Sequence, residues 1–254
     1  MKFYVLASGS AGNCSALVNE ENEILLIDCG IPYIDITRRL SQVGLSIDNV
    51  KKVLITHMHV DHVKSIRAFE NKDLYMHHDT QMNECNLFEY YQTFEVLGFK
   101  ILTLPSSHDS AGTTGFLIEY NNEKMAYITD TGYIHENVQK HINNCDIYCI
   151  ESNHDPRMLM LTKRPMFLKN RILSANGHMS NQDCAYVLGN VMGFKTKQIV
   201  FLHRSQEANS EDMIIETFKS MMKKMDVDIS EIKVNIARQN EVVCYDDECI
   251  NINA

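Results

Sequence analysis

Three histidines and an aspartate fall within six residues, in His57-Met58-His59-Val60-Asp61-His62. Neutral imidazoles and carboxylates are the natural ligands of zinc and similar divalent cations. An apolar run over 52–56 ends directly on His57, so the cluster is expected on a turn leaving a buried strand. There His57 and His59 can face one ion while Asp61 and His62 reach a second. The plainer reading is a polar helix start capped by Asp61, but three histidines in six residues are rare by chance.

Four other ionisable residues sit where apolar runs stop. Asp28 follows Leu26-Ile27, Asp130 follows Thr129, and His203 follows Phe201-Leu202. His108 stands in the polar loop Ser106-Ser107-His108-Asp109-Ser110, just after the run 102–104. Each has an ordinary alternative: a helix cap for Asp130, an exposed loop histidine for His108, a satisfied buried histidine for His203. Their order along the chain is what makes them a candidate constellation. Rigid sheets fix side chains at strand ends, which is where sites are built in layered α/β folds.

The elements that must hold these residues are legible as short alternating or apolar runs. Strands are predicted over 3–7, 15–19, 24–28, 52–56, 100–104, 114–120, 124–129, 147–151, 198–202, 234–237 and 241–245. Helical spacing covers 34–43, 181–192 and 211–225. Strand blocks interleaved with helices predict an α/β protein built in layers. No repeat, long linker or low-complexity stretch divides the chain, so one domain over 1–254 is expected.

Composition bounds the function. The 254 residues carry a formal charge of -9, which disfavours a general nucleic-acid coat protein but leaves room for a local basic groove. No stretch approaches the roughly 20 apolar residues of a membrane helix, and the N-terminal apolar run is short for a signal peptide. Eight scattered cysteines without a Cys-x-x-Cys pair read as free thiols in a reducing cytoplasm.

The order Asp28, His57 to His62, His108, Asp130, His203 resembles the metallo-β-lactamase superfamily across nearly the whole chain. The resemblance implies a four-layer αββα sandwich with the site along one edge of two sheets. It implies that His57, His59 and His108 bind one divalent metal, that Asp61, His62 and His203 bind another, and that Asp130 bridges them. Asp28 would orient the histidine loop from behind. Met58 and Val60 depart from residues common in relatives, and their side chains are expected to point away from the metals. The segment around His203 only approximates the family pattern, which leaves His178 open as a substitute ligand.

Further segments narrow the resemblance. Ser8-Gly9-Ser10-Ala11-Gly12-Asn13, Ser107-His108-Asp109, Thr129-Asp130-Thr131-Gly132-Tyr133, Glu151-Ser152-Asn153-His154-Asp155, Leu168-Lys169-Asn170-Arg171-Ile172 and Gly177-His178-Met179-Ser180-Asn181 look like the YycJ/WalJ-type group. That group is cytoplasmic, bacterial, and associated with 5′-to-3′ exonuclease action on DNA. The last segment is also similar to the Gly-His-Ser-Thr segment of ribonuclease Z, whose histidine helps protonate the leaving group. The implied chemistry is phosphodiester hydrolysis by two ions, zinc or manganese foremost, with iron open. Asp61 or Asp130 would hold or deprotonate the attacking water, and His178, positioned by Glu151 or His154, would supply the leaving-group proton. A small-molecule or cyclic phosphodiesterase fits the same residues, and a metal-containing binding protein without catalysis is the alternative from another class. Oligomeric state is not legible.

One stretch bears on the substrate. From 156 to 182 there is no acidic residue, while Arg157, Lys163, Arg164, Lys169 and Arg171 all lie there. It leads into His178 and is expected to track a phosphate backbone, with a solvated basic loop as the plainer reading.

Overall fold

Strand alternation decides the layering. On β1 (Lys2–Ala7), Phe3 and Val5 join one buried apolar cluster, while Tyr4, Leu6 and Ala7 join a second on the opposite face. Side chains of a strand point alternately to its two faces, so a strand apolar on both must be covered twice. The computed structural model describes residues 1–70, 72–80, 82 and 85–244.

Two seven-stranded sheets face each other among the described residues. In the first, β1 is followed across the sheet by β2 (Cys14–Val18), β3 (Ile24–Ile27), β4 (Val50–Leu54), β5 (Asp73–His77) and β6 (Asn86–Phe88). The second runs from β7 (Thr93–Val96) through β8 (Phe99–Pro105), β9 (Thr114–Tyr120), β10 (Glu123–Ile128), β11 (Ile147–Glu151) and β12 (Gln198–Leu202) to β13 (Lys233–Ile236). A two-residue strand, β14 (Val243–Cys244), pairs with the free side of β1.

Phe3, Val5, Leu25, Ile27 and Leu54 meet Phe99, Phe116, Tyr127, Cys149 and Val200 between the sheets. Helix α1 (Tyr33–Gln42) covers the first sheet through Ile36 and Leu40. A short α2 (Val60–Val63) ends the histidine loop, and α3 (Glu136–His141) with the helices over Asn181–Val191 and Glu211–Lys224 covers the second sheet, Val138, Val187, Leu188, Ile214 and Phe218 packing on Tyr148 and Phe201. The result is the αββα sandwich. No described helix is long and apolar enough to cross a membrane.

The pairing positions the site. β3 and β4 are parallel, and so are β10, β11 and β12. Parallel strands bring their C-terminal ends to one edge, so Asp28, His57, Asp130, Glu151 and His203 follow or end strands on the same rim.

The structure corrects several expectations. The strand before His57 ends at Leu54, two residues early, because Thr56 turns to bond Asp28. The last strand begins at Val243 rather than 241, and Tyr245 lies outside the described residues. The basic stretch holds two helices, α4 (Pro156–Leu161) and α5 (Met166–Leu173), which helical spacing in the sequence does not mark. Cys14, Cys29, Cys85, Cys145, Cys149 and Cys184 are free thiols, but Cys244 is disulfide-bonded.

Candidate metal centre

The rim residues are set by unusual backbone. Asp28, Asp130 and His203 leave their strands with φ of 62°, 50° and 51°. Left-handed conformations at non-glycine residues cost of order 1–3 kcal/mol each and gather at functional sites. Here the turn brings Asp130 and His203 to one cavity and Asp28 behind it, against Thr56 and His62. Gly30 fixes the histidine loop by close approach: a Cβ there would collide with the Asp61 carbonyl. That carbonyl accepts from Asn13 N at 2.8 Å.

His57, His59 and His108 form the first ligand group, their ring nitrogens within 4.8 Å of one another. The Thr56 hydroxyl donates to Asp28 Oδ2 at 2.8 Å, so at 3.1 Å it accepts from His57 Nδ1. That leaves His57 Nε2 as the lone-pair nitrogen. Burial, then the neighbouring His62, holds the His57 pKa well below the ordinary histidine value, so the ring is neutral. His108 Nδ1 donates to the Gly177 carbonyl at 2.9 Å, leaving Nε2 to face His59 Nδ1 at 3.2 Å. Burial again keeps His108 below its ordinary value.

Asp61, His62, Asp130 and His203 form the second group. His62 Nδ1 donates to Asp28 Oδ2 at 2.7 Å, and its Nε2 lies 3.1 Å from Asp130 Oδ2. Burial alone would favour neutral His62, but Asp130 and Asp28 outweigh it and push the group up to about 10. Carboxylates on both sides thus demand positive charge at this position, whether from a proton or a divalent ion. His203 Nδ1 donates to Glu151 Oε1 at 3.0 Å, while Nε2 lies 3.7 Å from Asp61 Oδ2 and 3.5 Å from Asp130 Oδ1.

Asp130 stands between the groups, with Oδ1 also 3.9 Å from His108 Nε2. Its burial opposes ionisation, yet His203 and His62 hold the carboxyl well below the usual carboxylate range. The donor set fits two divalent cations. His57 Nε2 and His203 Nε2, one in each group, are buried without any hydrogen-bond partner. Buried nitrogens left unmatched cost about 1–3 kcal/mol, and an ion at each group would satisfy both.

A second pair of residues adjoins the metal groups. His178 Nδ1 lies 2.7 Å from Glu151 Oε1, the same oxygen that holds His203. Burial opposes the charge on Glu151, but His178 and His203 carry its pKa down to about 2. Glu151, Asp130, His178 and His203 also offer donor atoms within 4.8 Å of one another. His203 nevertheless turns Nε2 toward Asp61 and Asp130, whereas His178 turns Nδ1 toward Glu151. His154 is buried beside them with neither ring nitrogen bonded. Glu151, rather than His154, therefore orients His178.

These groups open into a cavity of about 390 Å³, lined by His59, Asp61, His108, Asp130, His178 and His203. Arg164, Leu168, Arg171 and Ile172 line it as well. Of the five basic residues singled out, Arg164 and Arg171 reach the cavity; Arg157 and Lys163 are exposed but do not line it. Lys169 is buried, and its Nζ donates to the Met160 and Thr162 carbonyls at 2.6 and 2.8 Å. It ties off the C-terminal end of α4 and is turned away from any phosphate. Met58 packs against the core beneath α1 and Val60 is exposed, so neither lines the cavity.

Sequence reasoning passes over three contributors. Thr56 links Asp28 to His57. Asn13 places Nδ2 3.0 Å from His62 Nε2. Asp109 takes a two-pronged contact from Arg171 through Nε and Nη2, the latter at 2.9 Å, and lies 3.7 Å from His59 Nε2. Asp109, flanking His108, and Asn13, closing the segment from Ser8, carry a hint in the sequence; Thr56 carries none.

Comparison with known proteins agrees with this geometry. A profile described as a beta-lactamase superfamily domain matches residues 24–203. The chain is 31% identical over 227 residues to exodeoxyribonuclease YycJ of Bacillus anthracis, covering 84% of this chain and 86% of that protein. It is 29% identical over 244 residues to exodeoxyribonuclease WalJ of Streptococcus pneumoniae serotype 2, covering 90% of each. The metallo-β-lactamase-fold protein YhfI of Bacillus subtilis superposes with a TM-score of 0.69 at 16% identity, over 96% of this chain and all of that one. The chain is thus a hydrolase of the metallo-β-lactamase superfamily and belongs to its YycJ/WalJ-type group.

Proposed function

We propose that this protein is a dinuclear-metal phosphodiesterase that degrades DNA from a 5′ end, with zinc or manganese in its two ligand groups. The carrying observation is the His178–Glu151 pair, whose Nδ1–Oε1 distance of 2.7 Å places a proton-holding histidine beside two metal-ligand groups. A protein that only stored metal would have no use for it. The relatives named exodeoxyribonuclease support the substrate. Six free thiols favour a cytoplasmic setting, and the shared core between the sheets supports reading 1–254 as one domain.

Divalent ions held in the two groups supply Lewis acidity and lower the pKa of water towards about 7. The chain's own residues do the rest. Glu151 holds the Nδ1–H of His178, so in the imidazolium form Nε2–H is the donor that gives its proton to the departing oxygen, leaving the neutral ring. Asp61 and Asp130 orient the attacking water through their carboxylates. Arg164 and Arg171, which also line the cavity, meet the charge of the phosphate.

The test is to incubate metal-loaded protein with 5′-labelled and 3′-labelled duplex DNA, single-stranded DNA, RNA and bis-p-nitrophenyl phosphate. Early release of label from the 5′ end of DNA is expected. Turnover confined to the small ester would favour a small-molecule phosphodiesterase, and no turnover at all a binding role.

A further inference from the structure

Helix α5 contributes part of the cavity wall beside the ligand groups. Leu168, Arg171 and Ile172 line the cavity. Phe167 lies one helical turn before Arg171, and residues four apart share a helix face. Phe167 therefore shares the face of α5 that carries Arg171, next to but not among the residues lining the cavity. It is 75% exposed, and Leu161, at the end of α4, is 85% exposed. Met160 and Met166 are exposed with them. Phe167 has no ring partner among the described residues.

Single exposed apolar residues are ordinary on a protein surface. This group differs in its frame. Arg157, Lys163, Arg164 and Arg171 lie in the same stretch, and no acidic residue occurs from 156 to 182. Arg171 spends Nε and Nη2 on Asp109, and Arg164 spends Nε on Glu207 at 2.9 Å. Both keep further N–H donors for an incoming phosphate. A flat apolar side chain on the helix face of Arg171, in a stretch whose arginines keep spare N–H donors beside a hydrolytic cavity, matches a ligand with alternating anions and planar faces. A nucleic acid strand has that chemistry. A second copy of this chain does not, because a symmetric pairing would set the same cations against one another.

We propose that Phe167 is a stacking platform for the nucleobase next to the scissile phosphate, with Arg171 and Arg164 holding the phosphates on either side. This rests on the nuclease reading above. It makes the base itself, and not only the phosphate, part of what the enzyme recognises. The face of the ring is shared by all four bases, so the platform confers grip without sequence preference.

The test compares single-stranded oligonucleotides that carry either a base or an abasic residue at the terminal position. kcat/KM is measured for wild type, Phe167→Ala and Phe167→Trp, all metal-loaded. Stacking of one base on one aromatic side chain is worth about 1–3 kcal/mol, roughly a 5- to 150-fold preference. Wild type should prefer the intact end by at least about fivefold; Phe167→Ala should lose that preference, and Phe167→Trp should keep it. High exposure of Phe167 means that the alanine variant loses little packing. If wild type hydrolyses bis-p-nitrophenyl phosphate but no oligonucleotide, the nuclease reading fails and the platform with it. If oligonucleotides are cleaved and the preference survives in Phe167→Ala, the platform alone is overturned. The same holds if Phe167→Ala instead turns a dimer into a monomer with its preference intact.

Discussion

Glu151 Oε1 lies 2.7 Å from His178 Nδ1 and accepts its proton. The carboxylate is ionised throughout the working range, because His178 and His203 hold its pKa at about 2 against the cost of burial. The two histidines share one oxygen but serve different ends. Both line the cavity, but His203 points Nε2 at Asp61 and Asp130, whereas His178 spends Nδ1 on Glu151.

Separate outcomes follow for the two residues. His178→Ala should slow turnover by about 10²–10⁴-fold, the range of a lost general acid, with metal content near that of wild type. Glu151→Gln should slow turnover and also weaken metal affinity by about 10–100-fold, since it loosens His203 as well. Kinetics with elemental analysis of both variants checks this. A metal site emptied by His178→Ala would reverse the roles of His178 and His203.

The basic wall predicts a salt effect. Each phosphate contact on duplex DNA contributes a slope of about -0.9 in log affinity against log salt. Lys163→Gln, Arg164→Gln and Arg171→Gln together should flatten that slope by up to about 2.7. Lys169 is left intact because its ammonium satisfies carbonyls at the end of α4. Binding isotherms at several salt concentrations give the answer; an unchanged slope would take this wall out of the DNA-binding surface.

Much of this site is legible in the amino-acid sequence. β9 and β12 fall on the residues that the sequence pattern marks, because their apolar runs are bounded by polar turns. The ligand candidates stand out because imidazoles and carboxylates follow such runs. Lys169 is misread because a charge count treats every cation as solvated. Its role depends on where α4 ends, which no local pattern announces. Thr56 is invisible for a related reason: its hydroxyl matters only once β3 and β4 pair and bring Asp28 beside it. β5, β6 and β7 are three to five residues long, too short for periodicity to separate them from loop.

His154 predicts an acid weakness. Burial lowers its pKa to about 4, and neither ring nitrogen is bonded. The unfolded chain therefore binds a proton below about 6.5 that the folded protein refuses. Stability should fall as pH drops from about 6.5 towards 4, by about 2 kcal/mol at pH 5 from this residue alone. His154→Leu removes that titration without removing a hydrogen bond. Urea unfolding of metal-free wild type and variant at pH 7 and pH 5 should show the smaller acid loss in the variant. Equal losses would mean that His154 is protonated as readily folded as unfolded.

The central claim is that two ions, one in each ligand group, make a working phosphodiesterase. Metal-free protein can be titrated with zinc or manganese while hydrolysis of bis-p-nitrophenyl phosphate is followed. Activity should rise to a plateau at two equivalents per chain, with Asp130→Ala inactive at every point. A plateau at one equivalent, or full activity in Asp130→Ala, would contradict the account.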